Sequence, residues 1–160
     1  MSGVVFTLRD YRPEDFLPLW ELDQSCFQAA IAYTQYELRG YMRRAGAFTL
    51  IAQEHSKSSP YESILGFIIA ECDRGTGHII TIDVRASARR QKVGSTLLDA
   101  AETRMVARSC ESVRLETGVD NLTAIKFYKR HGYAIAKVIP RYYSNGVDGL
   151  VFEKKFGPSI

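Results

Sequence analysis

The sequence has no apolar run approaching about 18 residues, so no stretch of it reads as a membrane-spanning helix. Met1 to Leu8 lack the basic start and long apolar stretch of an export signal. Cysteine is scarce: Cys26, Cys72 and Cys110 are an odd, widely spaced set without the paired spacing of a zinc site. His55, His78 and His131 form no cluster with cysteines or carboxylates along the chain, and no metal is expected. Charge of one sign is also lacking. The 21 Lys and Arg against 18 Asp and Glu leave +3, which suits a polyphosphate ligand or acidic partner but is too little to argue for nucleic acid. Neither Gly-x-x-x-x-Gly-Lys-Ser/Thr nor Gly-x-Gly-x-x-Gly occurs, which removes the P-loop and the dinucleotide fingerprint. No internal repeat or low-complexity tract is present. These absences predict a soluble cytoplasmic protein with neither a membrane nor a nucleic acid as partner.

What is present fits one domain over residues 1–160. With 46% hydrophobic and 24% charged residues, the composition is that of a globular chain long enough to bury a continuous core. Val4, Phe6 and Leu8 alternate as a strand. Pro13, Glu14 and Asp15 suit a first helical turn, with Phe16, Leu19, Trp20 and Asp23 following at helical spacing. A second helix is predicted over Gln35 to Arg44. Strands are predicted over Phe48–Gln53, Ile64–Ala70 and His78–Val84, with the polar connection Glu54 to Pro60 as the most flexible segment. A helix over Val93–Ser109, a strand over Val113–Val119 and a helix over Leu122–Arg130 closed by a left-handed Gly132 come next. Two further strands, Tyr133–Ile139 and Leu150–Lys155, flank the loop Arg141 to Asp148 with its Asn-Gly turn. The order β-α-α-β-β-β-α-β-α-β-β describes an α+β domain: a mixed, mostly antiparallel seven-stranded sheet flanked by four helices.

The chain is organised around residues 81–98. There an alternating strand ending in Ile82, Asp83 and Val84 passes through a basic turn into small residues at a helix start. Free N–H groups in a first helical turn, the positive end of the helix dipole and nearby cations together favour an anion. Arg89, Arg90 and Lys92 supply the cations, while Gly94, Ser95 and Thr96 leave space for a ligand. The turn resembles the pyrophosphate-binding motif Arg/Gln-x-x-Gly-x-Gly/Ala of the GNAT N-acetyltransferases. Arg89 holds the first position and Gly94 the last, with Lys92 in place of the first glycine. If that position needs only room, Lys92 fits; if it needs positive φ, Lys92 costs stability. Leu115-Glu116-Thr117 with Asn121 five positions after the acid, Phe127-Tyr128-x-x-x-Gly132-Tyr133, and Arg141-Tyr142-Tyr143 with Asp148 extend the likeness over about residues 7 to 155. The combination is similar to the bacterial ribosomal-protein alanine N-acetyltransferases.

The resemblance implies acetyl-CoA as cosubstrate and a protein or peptide N-terminal amine as acceptor, with direct transfer between them. It places coenzyme contacts at Ile82, Asp83, Val84, Arg89, Arg90, Gln91, Lys92, Val93, Gly94, Ser95, Thr96, Asn121 and Tyr128, with the strand residues acting through main chain freed at a bulge. It makes Glu116 the proton acceptor, and Tyr128 the acid that protonates the leaving thiolate. Read from periodicity alone, Glu116 is a solvated acid on a strand's polar face and Tyr128 an aromatic core residue. Asn121 serves equally as a helix cap. Phe27, Ile31 and Tyr33, in an apolar aperiodic loop, and Arg141, Tyr142 and Tyr143 are the candidates for acceptor contact. Small-amine acetylation and non-catalytic coenzyme A binding are the alternatives. No cysteine is expected where a covalent acetyl-enzyme would need one.

Overall fold

A computed structural model describes residues 3–29, 31–55 and 59–157. The order is β1 (Phe6–Asp10), a 3-10 turn (Pro13–Asp15), α1 (Phe16–Cys26), α2 (Gln35–Met42), β2 (Ala47–Glu54), a single helical turn (Pro60–Ser63), β3 (Ile64–Asp73) and β4 (Thr76–Val84). Then follow α3 (Val93–Ala107), β5 (Ser112–Gly118), α4 (Leu122–Arg130), β6 (Ala134–Ile139) and β7 (Gly149–Lys155). The expected order holds: seven strands form one sheet, β1-β2-β3-β4-β5-β7-β6, with four helices about it. Every pairing is antiparallel except β4 with β5. Residues 56–58 of the polar connection, expected to be flexible, lie outside the described residues. Among those described, no helix is long and apolar enough to cross a membrane.

Helices cover both faces, which explains why β3 reads as an almost unbroken apolar run rather than an alternation. Leu97, Leu98, Ala101 and Met105 of α3 pack with Ile68, Ile79, Leu115 and Phe152 on one side. Phe16, Leu19 and Leu22 of α1 and Leu38 of α2 pack with Ile51, Phe67 and Ile69 on the other. Truncating a fully buried leucine such as Leu97 to alanine costs about 2–5 kcal/mol. The turn ahead of α1 is set by Asp15, whose buried carboxylate accepts from the Arg12 N–H at 2.7 Å and from both terminal nitrogens of Arg9 at 2.8 and 2.9 Å. Thr34 opens α2 with a reciprocal cap: its hydroxyl accepts from the Glu37 N–H, and the Glu37 carboxylate from the Thr34 N–H, each at 3.1 Å.

Two irregularities position the site. Ile69 pairs with Thr81 and Ala70 with Ile79, so Ile80 is an extra residue that bulges β4. Parallel pairing between β4 and β5 covers only Thr76–His78 opposite Ser112–Arg114. Beyond those rungs, β4 keeps its ladder with β3 as far as Val84, and β5 keeps its ladder with β7 as far as Gly118. The sheet therefore splits between its two central strands, as the sequence reading expected for Ile82–Val84.

Candidate active site

A cavity of about 380 Å³ lies in this split. Its walls come from Ile80, Thr81 and Ile82 of β4, Glu116 and Thr117 of β5, Tyr128 of α4, the loop after α1, and Tyr142 and Tyr143. Phe27, Ile31 and Tyr33 all line it, so the apolar aperiodic loop is a cavity wall. Tyr33 is tied to α1 and β4: its N–H donates to Asp23 Oδ2 at 3.0 Å, its carbonyl accepts from the Trp20 indole, and its hydroxyl reaches the Ile80 carbonyl at the bulge.

Glu116 sits two residues past the last β4–β5 rung. The alternation of Arg114 and Glu116 is as expected, but the solvated surface acid of the periodicity reading is corrected: the Glu116 side chain is only 15% exposed. His78 Nε2 stands 2.7 Å from its Oε2 and Arg114 Nη1 2.8 Å from its Oε1. Burial raises this carboxyl, but the hydrogen bond and charge of His78 and the charge of Arg114 together outweigh burial and hold it below the ordinary glutamate value. His78 Nδ1 lies 3.4 Å from Glu71 Oε1, placing the imidazole between two glutamates. This neighbourhood is invisible along the chain, because strand pairing brings together groups 38 residues apart.

Tyr128 is the aromatic core residue that periodicity predicted, and it also borders the cavity. Its ring packs edge-on to Phe127 and Tyr133 and tilted against Phe152 at 5.2–5.9 Å between centroids. Burial, followed by the charges of Asp83 and Tyr143, pushes its phenol well above the usual value, so it is protonated throughout the neutral range. Asn121 caps α4, its Oδ1 accepting from the Ala124 N–H at 3.1 Å, while lining the same cavity.

At the mouth of α3 no side chain caps the helix, which leaves first-turn N–H groups for a ligand. Lys92 adopts φ 66° and Arg90 φ 61°. The motif position thus requires the left-handed region, and a lysine there costs about 1 kcal/mol relative to glycine. Arg90 and Lys92 are exposed beside the mouth. The other side chains of the turn are engaged within the protein. Arg89 Nε donates to the Val84 carbonyl at 3.2 Å, Gln91 accepts from the Val4 N–H and donates to the Ser87 carbonyl, and Val93 is core. Ser95 Oγ meets His131 Nε2 at 3.0 Å, and the Thr96 hydroxyl donates to the Lys92 carbonyl. Asp83 is buried, its side chain on the α1 side with Asp23. Arg89 nevertheless stays exposed beside Arg90 and Lys92. A diphosphate fits this chemistry of uncapped N–H donors and exposed cations.

Arg141 is set apart from Tyr142 and Tyr143: it is exposed, does not line the cavity, and uses its N–H to close its own loop onto Asp148 Oδ1 at 2.9 Å. Cys26 also lines the cavity. Its thiol donates to the Val84 carbonyl, and burial together with Asp83 pushes its pKa up against the pull of Arg89, so it is held as the poorly nucleophilic thiol.

A sheet parted between two parallel strands beside an uncapped, basic helix mouth sets free main-chain groups next to an anion site. The acetyltransferase (GNAT) family model matches residues 13–133, and the chain belongs to that family. It is 36% identical over 93 residues to an uncharacterized N-acetyltransferase of Methanocaldococcus jannaschii, covering 58% of this chain and 60% of that protein. With N-alpha-acetyltransferase 30 of Schizosaccharomyces pombe it shares 31% identity over 123 residues, 74% of this chain and 78% of that one. The chain spans less than two thirds of some curated relatives, 26% in the human N-alpha-acetyltransferase 30. Among solved structures it superposes on Ard1 from Thermoplasma volcanium with a TM-score of 0.85 at 27% identity, covering 97% and 100% of the two chains.

Proposed function

We propose that this chain is an acetyl-CoA-dependent N-acetyltransferase acting on the α-amine of a protein or peptide N-terminus. The observation that carries the proposal is the pairing, in one cavity at the sheet's split, of an ionised Glu116 with a protonated Tyr128. Relatives named as N-alpha-acetyltransferases support the acceptor class.

Acetyl-CoA would supply an electrophilic thioester, held by the main chain of 93–96 and by Arg90 and Lys92 at the diphosphate. The freed edge of Ile82–Val84 offers backbone donors and acceptors to the pantetheine and acetyl oxygen. Glu116 takes the amine proton through one water, and Tyr128 Oη gives its proton to the departing sulfur. A carboxylate kept below its ordinary pKa is a weak base, and it suffices only if the acceptor loses its proton easily. An α-amine with pKa near 8 is about a tenth neutral at pH 7, a lysine side chain less than about 0.1%. The site chemistry therefore favours N-termini over lysines. Phe27, Ile31, Tyr33, Tyr142 and Tyr143 would wall the first residues of the acceptor.

The test is turnover of acetyl-CoA on a peptide panel varying the first three residues, an alanine-first ribosomal-protein N-terminus included, beside spermidine and free amino acids. Product on peptide α-amines is expected. Turnover restricted to free amines would replace the proposal with small-molecule acetylation, and coenzyme binding without any turnover would replace it with a binding module.

A further inference from the structure

A second cavity, of about 570 Å³, opens away from the split between the C-terminal ends of α2 and α3 and the start of β2. Its walls carry four arginines, Arg39 and Arg43 from α2 and its cap, and Arg104 and Arg108 from α3 and its cap. Each pair is spaced i, i+4 and so faces one way. The floor is aromatic. Arg39 lies 3.6 Å over the Phe16 ring centroid, and Arg104 and Arg108 both lie 5.0 Å from that of Phe48, so one ring seats two like charges.

Local charges leave this cluster unbalanced. Arg104 Nη1 pairs with Asp10 Oδ1 at 2.8 Å, and that carboxylate is 71% exposed. Arg108 Nη1 donates to the Gly46 carbonyl. Arg39 and Arg43 have no side-chain hydrogen bond among the described residues, while the neighbouring Asp15 is already held by Arg9. Glu14 also acts on the Tyr11 wall, but two helix C-terminal half charges with Asp10 and Glu14 still do not offset four cations. Burial pushes the Tyr11 phenol in this wall up, whereas Arg39 and Arg43 pull it back, so both cations act on the cavity.

We infer that this cavity is a binding site for a small polyanion carrying several phosphoryl groups. Guanidinium forks match phosphate oxygens two at a time, and stacking on Phe16 and Phe48 fixes three of them before a ligand arrives. The volume exceeds that of a single phosphate and falls within the range of small-molecule sites. Nothing in the acetyl-transfer reading requires the site, which opens at other elements than the split.

Calorimetry with sodium tripolyphosphate tests this, using the whole protein saturated with coenzyme A so that the α3 mouth is filled. Binding that weakens with added salt is expected. Arg43→Gln and Arg108→Gln, both at exposed positions, should each weaken it by about tenfold, while Lys92→Gln at the other site leaves it unchanged. Absence of binding, or equal binding by the two arginine variants and the wild type, overturns the assignment. Association with a single-stranded oligonucleotide alongside none for tripolyphosphate overturns it in favour of a nucleic-acid surface.

Discussion

Replacing Asp83 tests the least expected feature beneath the active site. Asp83 Oδ1 accepts from the Thr81 hydroxyl and Asp23 Oδ2 from the Tyr33 N–H. That leaves Asp83 Oδ2 and Asp23 Oδ1 buried without another partner, and two carboxyl oxygens attract only through a proton. Burial, then Asp23, pushes the Asp83 carboxyl well above the usual aspartate range, and burial also raises Asp23. The folded state therefore binds a proton the unfolded chain has released. Stability from this pair is fully present below the unfolded aspartate pKa near 4 and falls as pH rises toward the folded value.

Asp83→Ala strands one buried carboxyl oxygen and the Thr81 hydroxyl, a loss of about 1–3 kcal/mol. For a chain of this size that lowers Tm by about 2–12 °C. Asp83→Asn instead gives Asp23 a permanent N–H donor. It should cost less than about 1 kcal/mol at pH 5 and remove most of the decline in Tm between pH 5 and 8. Glu116, with its lowered pKa, contributes stability that is lost only as pH falls below the ordinary glutamate range, outside this window. Thermal unfolding of the three proteins over pH 5–8 checks the argument. An asparagine variant that keeps the wild-type slope, or falls as far as the alanine variant, refutes the shared proton.

Tyr128→Phe should lower kcat by about 10²- to 10⁴-fold on a peptide substrate with coenzyme A affinity retained, since the ring still packs and only the proton donor is lost; unchanged turnover removes Tyr128 from the mechanism. Lys92→Gly should raise unfolding stability by about 1 kcal/mol while weakening coenzyme A binding, because it relieves a left-handed lysine and deletes a cation; calorimetry and denaturation measured together separate the two effects. Gly149→Ala should raise the acceptor KM more than that of acetyl-CoA, because a Cβ there would stand 2.8 Å from Tyr142 Cβ and push that ring out of the cavity wall.

What could be read along the chain was what repeats along it. Alternation in Val113–Val119 placed Glu116 and Arg114 on one face, and the small-residue turn at 92–96 located the helix mouth. What stayed hidden was contact across strands and helices. The hairpin about Gly75 sets Glu71 opposite His78, a pairing local enough to have been inferred, but the bond from His78 to Glu116 needs the parallel crossover through α3. Asp23 at the buried positions of an amphipathic helix and Asp83 between Ile82 and Val84 each broke the apolar pattern visibly. A buried acid amid apolar residues signals a polar partner, yet only the packing of α1 on β4 names it. Lys92 shows the same limit, because the motif exposed the substitution and only the backbone gave its φ.

The split in the sheet has to be held open, and the buried acid pair explains how. Past His78, β4 forgoes the hydrogen bonds that β5 could offer, and main-chain groups left unpaired away from water are costly. Closing the gap would mean turning residues 81–84 toward β5, which the α1 side resists. Asp83 is bonded to Asp23 there, Thr81 to Asp83, and the Val84 carbonyl receives both Arg89 and Cys26. The strand is thus clamped from the face opposite α3 while its free edge looks into the cavity, where a bound thioester and its pantetheine arm could take up those groups. On this argument, breaking the clamp at the Asp83 side chain should weaken acetyl-CoA binding, although that side chain lies on the α1 side and only the main chain of its strand would meet the coenzyme.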